Sequence, residues 1–386
     1  MSEPKLNDAA HADAVKQTRS EAHHIYLISL TLALAYLLVI VYASLQPMRG
    51  WRFPAADVYA FLSAPWPRYI TLSDVLINLS AYVPLGFMLT LGLRVCLPPV
   101  AAVAAGLLLS VALCIAMESI QMFLPARIAS NIDVLANAAG ALIGALAAPL
   151  FLPSQRIGAR LGVLRDRVFL PGALIDAGMV VATLWIISHL SPLTQVFGTG
   201  NLRSTFDLPE YLFHTPSLLL SAEVMVVFFN LLGIGLLLST LLRADTRRGV
   251  VISVVIVAAL ACKMLISVFL GKPLGAWAWI TPGATLGLLL GAILLGALLN
   301  LSRAVRLSLA LLCLMMALAA INLAPDNPYF SLPSQLTNGR ASHFLSFSSI
   351  LRALSELWPL IALAYLCVAL WRTRSMHVPV RRTNPL

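Results

Sequence analysis

Long apolar runs separated by short polar segments dominate the sequence. Ten runs come close to the roughly 20 residues that an α-helix needs to cross about 30 Å of hydrocarbon, and the alternating segments of a membrane β-barrel are not seen. The pattern therefore predicts an all-α, polytopic helical membrane protein with about ten transmembrane helices. The predicted spans lie near residues 25–46, 71–94, 98–122, 131–152, 168–190, 217–242, 248–270, 279–301, 304–323 and 354–371.

Composition supports this class. The 386 residues are 60% hydrophobic and 11% charged, whereas soluble domains are about half apolar and about a quarter charged. The five cysteines are scattered along the apolar runs without C-x-x-C spacing, which argues against a disulfide framework and a zinc site. We expect them to be packing residues, and we expect no metal and no cofactor.

The basic residues predict an orientation. Of the 26 Lys and Arg side chains, seventeen fall on the side of the N-terminus and eight on the opposite side, while Lys263 lies inside a span. The positive-inside rule then places both termini in the cytoplasm of a multi-pass cell-membrane protein. Residues 1–24 are predicted to be a cytoplasmic polar tail, not a cleaved signal peptide. The net charge of +10 comes from basic residues that we assign to the loops, so we expect no nucleic-acid partner.

A weak internal repeat suggests how the spans are grouped. Polar and glycine positions recur with the same offsets in the second and sixth spans. The matched positions are Asp74, Gly86 and Arg94 with Glu223, Gly235 and Arg243. We interpret this as a parallel four-helix repeat, with units at 25–152 and 153–301 followed by two further helices and a cytoplasmic tail at 302–386. The first unit would hold the site, and the second would be divergent support.

Polar residues concentrate in "ESIQMFLPARIASNIDVLANAAGALIG", residues 118 to 144. Residues four apart share a helix face, so Asp133 with Asn137, and Asp74 with Asn78 in the second span, each form a polar stripe. We expect Arg127 to fold back and give Glu118 a bidentate partner. The orientation places these residues together at the outer face. The predicted polar cluster consists of Asp74, Asn78, Glu118, Gln121, Arg127, Asp133 and Asn137.

Two interpretations of this polar cluster remain open. Ionisable groups at membrane depth are costly and are functional candidates, but the same residues could simply clamp the loop between two helices. In the second half, Glu223 and Lys263 lie at similar depth, which favours an intramembrane ion pair; the alternative is that Lys263 contacts an anionic lipid group. The sequence contains no P-loop, H-E-x-x-H or G-x-S-x-G signature, so no catalytic class is predicted.

The polar stretches resemble a known family. "SDVLINLSAYVPLGFML" followed by "ESIQMFLPARIASNIDVLANAAGALIG" is similar to the VanZ-like membrane domain over about residues 25 to 152. Many relatives have Lys and His where Val75 and Asn78 stand here. The motif positions are Asp74, Asn78, Pro84, Gly86, Glu118, Gln121, Arg127, Asp133, Asn137 and Gly140.

The resemblance implies a role in the cell envelope, in low-level glycopeptide (teicoplanin-type) resistance or in envelope polysaccharide production. Our first hypothesis is a non-catalytic envelope protein whose polar cluster binds a polar lipid or glycan, with membrane lipids, a lipid-linked glycan or the polysaccharide machinery as partners. The alternatives are a membrane enzyme acting on a lipid-linked glycan, with Glu118 as general acid or base, and a transporter or flippase.

Overall fold

The fold is described from a computed structural model. The described residues are 26–27, 29–45, 50–55, 57–67, 72–125, 127–152, 155–189, 195–203, 215–269, 280–324 and 342–375. The polar tail predicted for residues 1–24 lies outside this part of the chain.

Helices account for nearly all regular structure in the described residues. Two short 3₁₀ helices lie at Ala60–Leu62 and Ala148–Phe151, and Phe169 and Leu242 form an isolated antiparallel bridge. We number the α-helices in chain order. They are α1 Ser29–Leu45, α2 Leu72–Leu93, α3 Pro99–Gln121, α4 Asn131–Ala147, α5 Arg156–Val168, α6 Ala173–His189, α7 Pro216–Leu241, α8 Arg248–Phe269, α9 Pro282–Leu298, α10 Arg303–Leu323 and α11 Ser342–Ser375.

Seven segments of the described chain are long and apolar enough to cross a membrane. They are Asp74–Leu93, Pro99–Gln121, Asn131–Phe151, Pro216–Leu241, Arg248–Val268, Arg303–Leu323 and Leu354–Ser375. The predicted class, an all-α polytopic membrane protein, is confirmed. The predicted number of ten membrane-spanning helices is not confirmed. Helices α1, α6 and α9 coincide with predicted spans but are shorter apolar helices of 10–17 residues, at most about 25 Å long.

Side-chain caps define where several helices begin. The hydroxyl of Ser130 accepts a hydrogen bond from the amide of Ile132 at the start of α4. Thr281 caps α9 in the same way through the amide of Ala284. These hydroxyls satisfy amides that have no partner inside the first turn.

The described residues divide into two compact units at Leu164 and Arg165, with the start of α11 up to Phe347 grouped with the first unit. In the first unit, α2 and α4 are packed with their backbones in contact. A Cβ on Gly140 would lie 2.1 Å from the carbonyl oxygen of Leu79, and one on Gly144 would lie 2.0 Å from that of Val83. Only glycine allows this approach. The Tyr36 hydroxyl donates to the carbonyl of Ala81 and ties α1 to α2.

The second unit is built around α7, whose C-terminal half is buried. Here too a pair of glycines faces a neighbouring helix: a Cβ on Gly283 would meet Glu223, and one on Gly287 would meet Val224. The contact of α7 with α9 thus resembles that of α2 with α4, because each uses two glycines four residues apart. The repeat itself stays a prediction.

Helix α5 lies mostly between two of the predicted spans and has no buried residues.

Candidate functional site

The polar cluster lies within the first unit, and most of it is buried. Asp74 and Asn78 are half-buried on α2. The other five side chains expose at most 7% of their surface. These five are Glu118, Gln121, Arg127, Asp133 and Asn137. Buried polar groups are stable only when hydrogen-bonded, so the contacts of each residue indicate what the polar cluster does.

A direct hydrogen bond joins the two predicted polar stripes. Asn78 Nδ2 donates to Asp133 Oδ1 at 2.6 Å, linking α2 to the first turn of α4. Asp74 lies one helical turn before Asn78, in the first turn of α2. The stripe on α2 therefore faces α4, as the four-residue spacing predicts.

Glu118 holds the start of α4 against the end of α3. Its Oε2 accepts a hydrogen bond from the backbone amide of Ser130 at 2.9 Å. Ser130 is also the N-cap of α4. A carboxyl group beside a helix N-terminus interacts favourably with the helix dipole. Glu118 therefore has a clear structural role.

Replacing Ser130 with alanine tests this junction. We expect Ser130→Ala to lower the free energy of unfolding by about 1 kcal/mol, because the amide of Ile132 loses its acceptor. Thermal unfolding of the detergent-purified protein would measure the change. Ser130→Thr keeps a hydroxyl and is the control; equal losses in the two variants would contradict the capping role.

Arg127 reaches a backbone carbonyl of α1. Its Nη2 donates to the carbonyl of Ala43 at 2.8 Å, and its pairing with Glu118 stays a prediction. The last carbonyls of a helix lack intrahelical donors, and α1 ends at Leu45, so Arg127 caps α1. Burial lowers the pKa of Arg127, and the carboxyl groups of Glu118 and Asp133 act in the opposite direction.

Gln121 caps the same helix end and leaves one buried atom unpaired. Its Nε2 donates to the carbonyl of Ser44 at 2.9 Å. Because a carbonyl can only accept, this bond fixes which amide atom is nitrogen. Gln121 Oε1 is buried and has no hydrogen-bond donor among the described residues.

Asn137, which lies further from the helix ends, also has a side-chain amide with one unpaired atom. Its side-chain amide lies 3.1 Å from the sulfur of Cys114, and its Oδ1 is buried without a donor among the described residues. Cys114 lies seven residues before Gln121, about 10 Å further along α3. Buried amide groups thus occur at two depths of the first unit.

Two contributors were missed by the sequence analysis. Ser130 starts a S-x-x-D pattern, a helix N-terminus signature that was available in the sequence. Asn131 donates to the carbonyl of Ala64 at 2.8 Å, a contact across 67 positions that no local pattern indicates. Cys114, expected only to pack, is buried and also contacts Asn137.

In the second unit, Glu223 and Lys263 each contact a polar group on another helix. Glu223 Oε1 accepts a hydrogen bond from the hydroxyl of Thr281 at 2.5 Å. The ammonium of Lys263 lies 3.4 Å from the carbonyl of His189. The intramembrane ion pair of Glu223 with Lys263 stays a prediction. Thr281 places its hydroxyl beside Glu223 as it caps α9.

A comparison with protein families agrees with the resemblance found in the sequence. The VanZ/LLP1 family model matches residues 24–152, which include α1 to α4 and hold every member of the polar cluster. No match was found among curated proteins or among solved structures. Among the described residues, no group of three His, Cys, Asp or Glu side chains is placed to hold a metal ion. Residues 24–152 are thus similar to the VanZ/LLP1 family, and the further helices of the chain follow on the C-terminal side of this match.

Proposed function

We propose that the VanZ-like domain binds the hydroxyl-bearing head group of a polar lipid or lipid-linked glycan in its polar cluster. The observation that carries the proposal is the pair of buried acceptors, Gln121 Oε1 and Asn137 Oδ1, with no donor among the described residues. A buried polar atom without a partner costs about 1–3 kcal/mol. A ligand that supplies hydroxyl or amine donors would remove this cost.

The chemistry of these two atoms favours a neutral, polyol-like group over a simple anion. Both are acceptors, which match sugar or glycerol hydroxyls. Arg127 adds a buried positive charge at the end of α1 that Gln121 also caps, which suits a phosphate attached to such a group. A glycosyl or glyceryl phosphate on a lipid anchor combines the two features.

A binding role fits the geometry better than a catalytic one. The carboxyl group of Glu118 is engaged by the Ser130 amide at the junction of α3 and α4, which favours a structural role for it. As the resemblance to the VanZ-like family implies, we place this binding in the cell envelope, in glycopeptide resistance or in polysaccharide production. The protein would then hold or present an envelope lipid without changing it.

Native mass spectrometry of the detergent-purified protein tests the proposal. We expect wild-type protein to carry a lipid or lipid-linked glycan that is lost from Gln121→Met and Asn137→Leu. The matched control is Asn230→Leu, because Asn230 is an equally buried amide in the second unit, with its Oδ1 accepting from Thr199 and its Nδ2 donating to Val226.

The two possible outcomes are distinct. Loss of the bound species from the first two variants, with retention in Asn230→Leu, would support the site. A wild-type protein that stays without adduct after incubation with a total lipid extract would contradict it, as would equal retention in all variants.

A further inference from the structure

Helix α5 carries an exposed apolar stripe. Ile157, Leu161, Leu164 and Val168 recur at intervals of three and four residues, which places them within an arc of about 60° at about 100° per residue. Ile157, Leu161 and Leu164 expose 44%, 45% and 55% of their surface. About half of the surface of each of these three residues is therefore left uncovered by the described chain.

A basic stripe runs beside the apolar one. Arg156, Arg160 and Arg167 are exposed and fall within an arc of about 40°, centred about 90° from the apolar stripe. Arg165 is on another side of the helix and is held by Asp166 and Asp176. The exposed basic stripe therefore has a charge of +3 that no acidic residue of α5 offsets.

The position of α5 in the chain places it at a membrane surface. It follows the spanning segment Asn131–Phe151 and precedes the apolar helix α6. Its C-terminal end is fixed to the end of the spanning helix α7, because the Leu170 amide donates to the carbonyl of Leu241 at 2.9 Å and the Arg243 amide to that of Val168 at 3.0 Å.

The helix is weak by itself. It has 13 residues, a length at which isolated helices are marginal in water, and it contains two interior glycines, which lower helix stability. Gly158 allows contact with the preceding segment, since a Cβ there would lie 2.1 Å from the carbonyl of Leu152, whereas nothing lies within 4 Å of a Cβ at Gly162. Burial of the apolar stripe in lipid would stabilise the helix.

From these four observations we infer that α5 lies in the membrane interface and that Arg156, Arg160 and Arg167 bind the phosphates of anionic phospholipids. The apolar stripe enters the acyl boundary, and the arginines reach the head groups from its side. Three basic side chains near an anionic surface give a preference over a zwitterionic surface on the order of 100-fold. A protein partner would instead need acidic residues matched to this stripe.

Spin labels on opposite faces of α5 test the inference in the full-length protein. The exposed cysteines Cys96, Cys262 and Cys367 are first replaced by serine, while the buried Cys114 and Cys313 are kept. A nitroxide is then placed at Leu161→Cys or Asp166→Cys. Accessibility to oxygen and to a water-soluble nickel complex is measured in nanodiscs of phosphatidylglycerol and of phosphatidylcholine.

We expect the Leu161 label to be accessible to oxygen and shielded from nickel in phosphatidylglycerol, and the Asp166 label to show the reverse. Changing the lipid to phosphatidylcholine, or combining Arg156→Gln, Arg160→Gln and Arg167→Gln, should raise nickel accessibility at Leu161 several-fold. The matched triple lysine variant keeps the charge and should behave like the arginine form.

Three results would overturn the inference. Equal nickel accessibility at both labels in phosphatidylglycerol would show that α5 is not in the interface. A Leu161 label shielded from both reagents would show that protein covers the stripe. An equal depth of the Leu161 label in phosphatidylglycerol and in phosphatidylcholine would show that α5 does not require anionic head groups. This comparison needs no arginine variant.

Discussion

Replacing Gly140 with alanine is expected to destabilise the protein, although the same change in a helix usually stabilises. Alanine in place of glycine inside a helix is normally favourable by about 0.5–1 kcal/mol. At Gly140 the added Cβ would lie 2.1 Å from the carbonyl oxygen of Leu79. Because this neighbour is backbone, α2 and α4 must separate, and overpacking of this kind costs about 1–3 kcal/mol or more.

Thermal unfolding in detergent gives the sign of this effect. The matched control is Gly296→Ala, because Gly296 is on α9 and nothing lies within 4 Å of a Cβ there. We expect the midpoint to fall by several degrees for Gly140→Ala and to stay or rise slightly for Gly296→Ala. A rise for both variants would mean that α2 and α4 are not packed with their backbones in contact.

The second large effect is expected at Glu118. In Glu118→Ala the amide of Ser130 loses its acceptor, and a buried donor left unpaired costs about 1–3 kcal/mol. The cavity left by the missing side chain adds to the loss. We therefore expect unfolding at a clearly lower temperature, and a start of α4 that exchanges its amide hydrogens faster than in the wild type.

The Glu118→Gln variant separates the contribution of the hydrogen bond from that of the ionisable carboxyl group. Glutamine keeps an oxygen that can accept from the Ser130 amide, so we expect most of the stability to be retained. The same variant tests the enzyme alternative, in which Glu118 acts as general acid or base. Equal destabilisation by the alanine and glutamine variants would contradict the role assigned to this carboxyl group.

Local sequence pattern predicted those features that depend on helix periodicity. Asp133 and Asn137 share a helix face, and Asn78 meets Asp133 from the facing helix. Gly140 and Gly144 are four residues apart, a spacing typical of close helix contacts, and both glycines lie against the backbone of α2. Periodicity determines which side chains face a neighbour, so these features could be read from one chain.

Contacts between distant segments could not be predicted in this way. Arg127 and Gln121 are bound to carbonyls 84 and 77 positions away, because the end of α1 supplies acceptors that no sequence pattern reveals. Glu118, the partner expected from the sequence, accepts a hydrogen bond from the Ser130 amide. In the same way Thr281 satisfies Glu223 as a consequence of the cap on α9.

Helix α5 was missed for a different reason. Helix α5 contains no apolar run long enough to span a membrane, because apolar and basic residues alternate over its 13 positions. Such a helix shows its apolar side only when residues three and four apart are compared. The same comparison also reveals the basic stripe proposed to contact lipid.

The central claim is that the polar cluster of the VanZ-like domain is a ligand site as well as a junction between helices. High-resolution cryo-electron microscopy of the protein in native-lipid nanodiscs tests it most directly, by showing what lies beside Gln121 Oε1 and Asn137 Oδ1. We predict density for a head group or sugar whose hydroxyl donates to at least one of these atoms. Ordered water alone at both atoms, in protein purified with its native lipids, would contradict the claim and leave the polar cluster as a structural clamp.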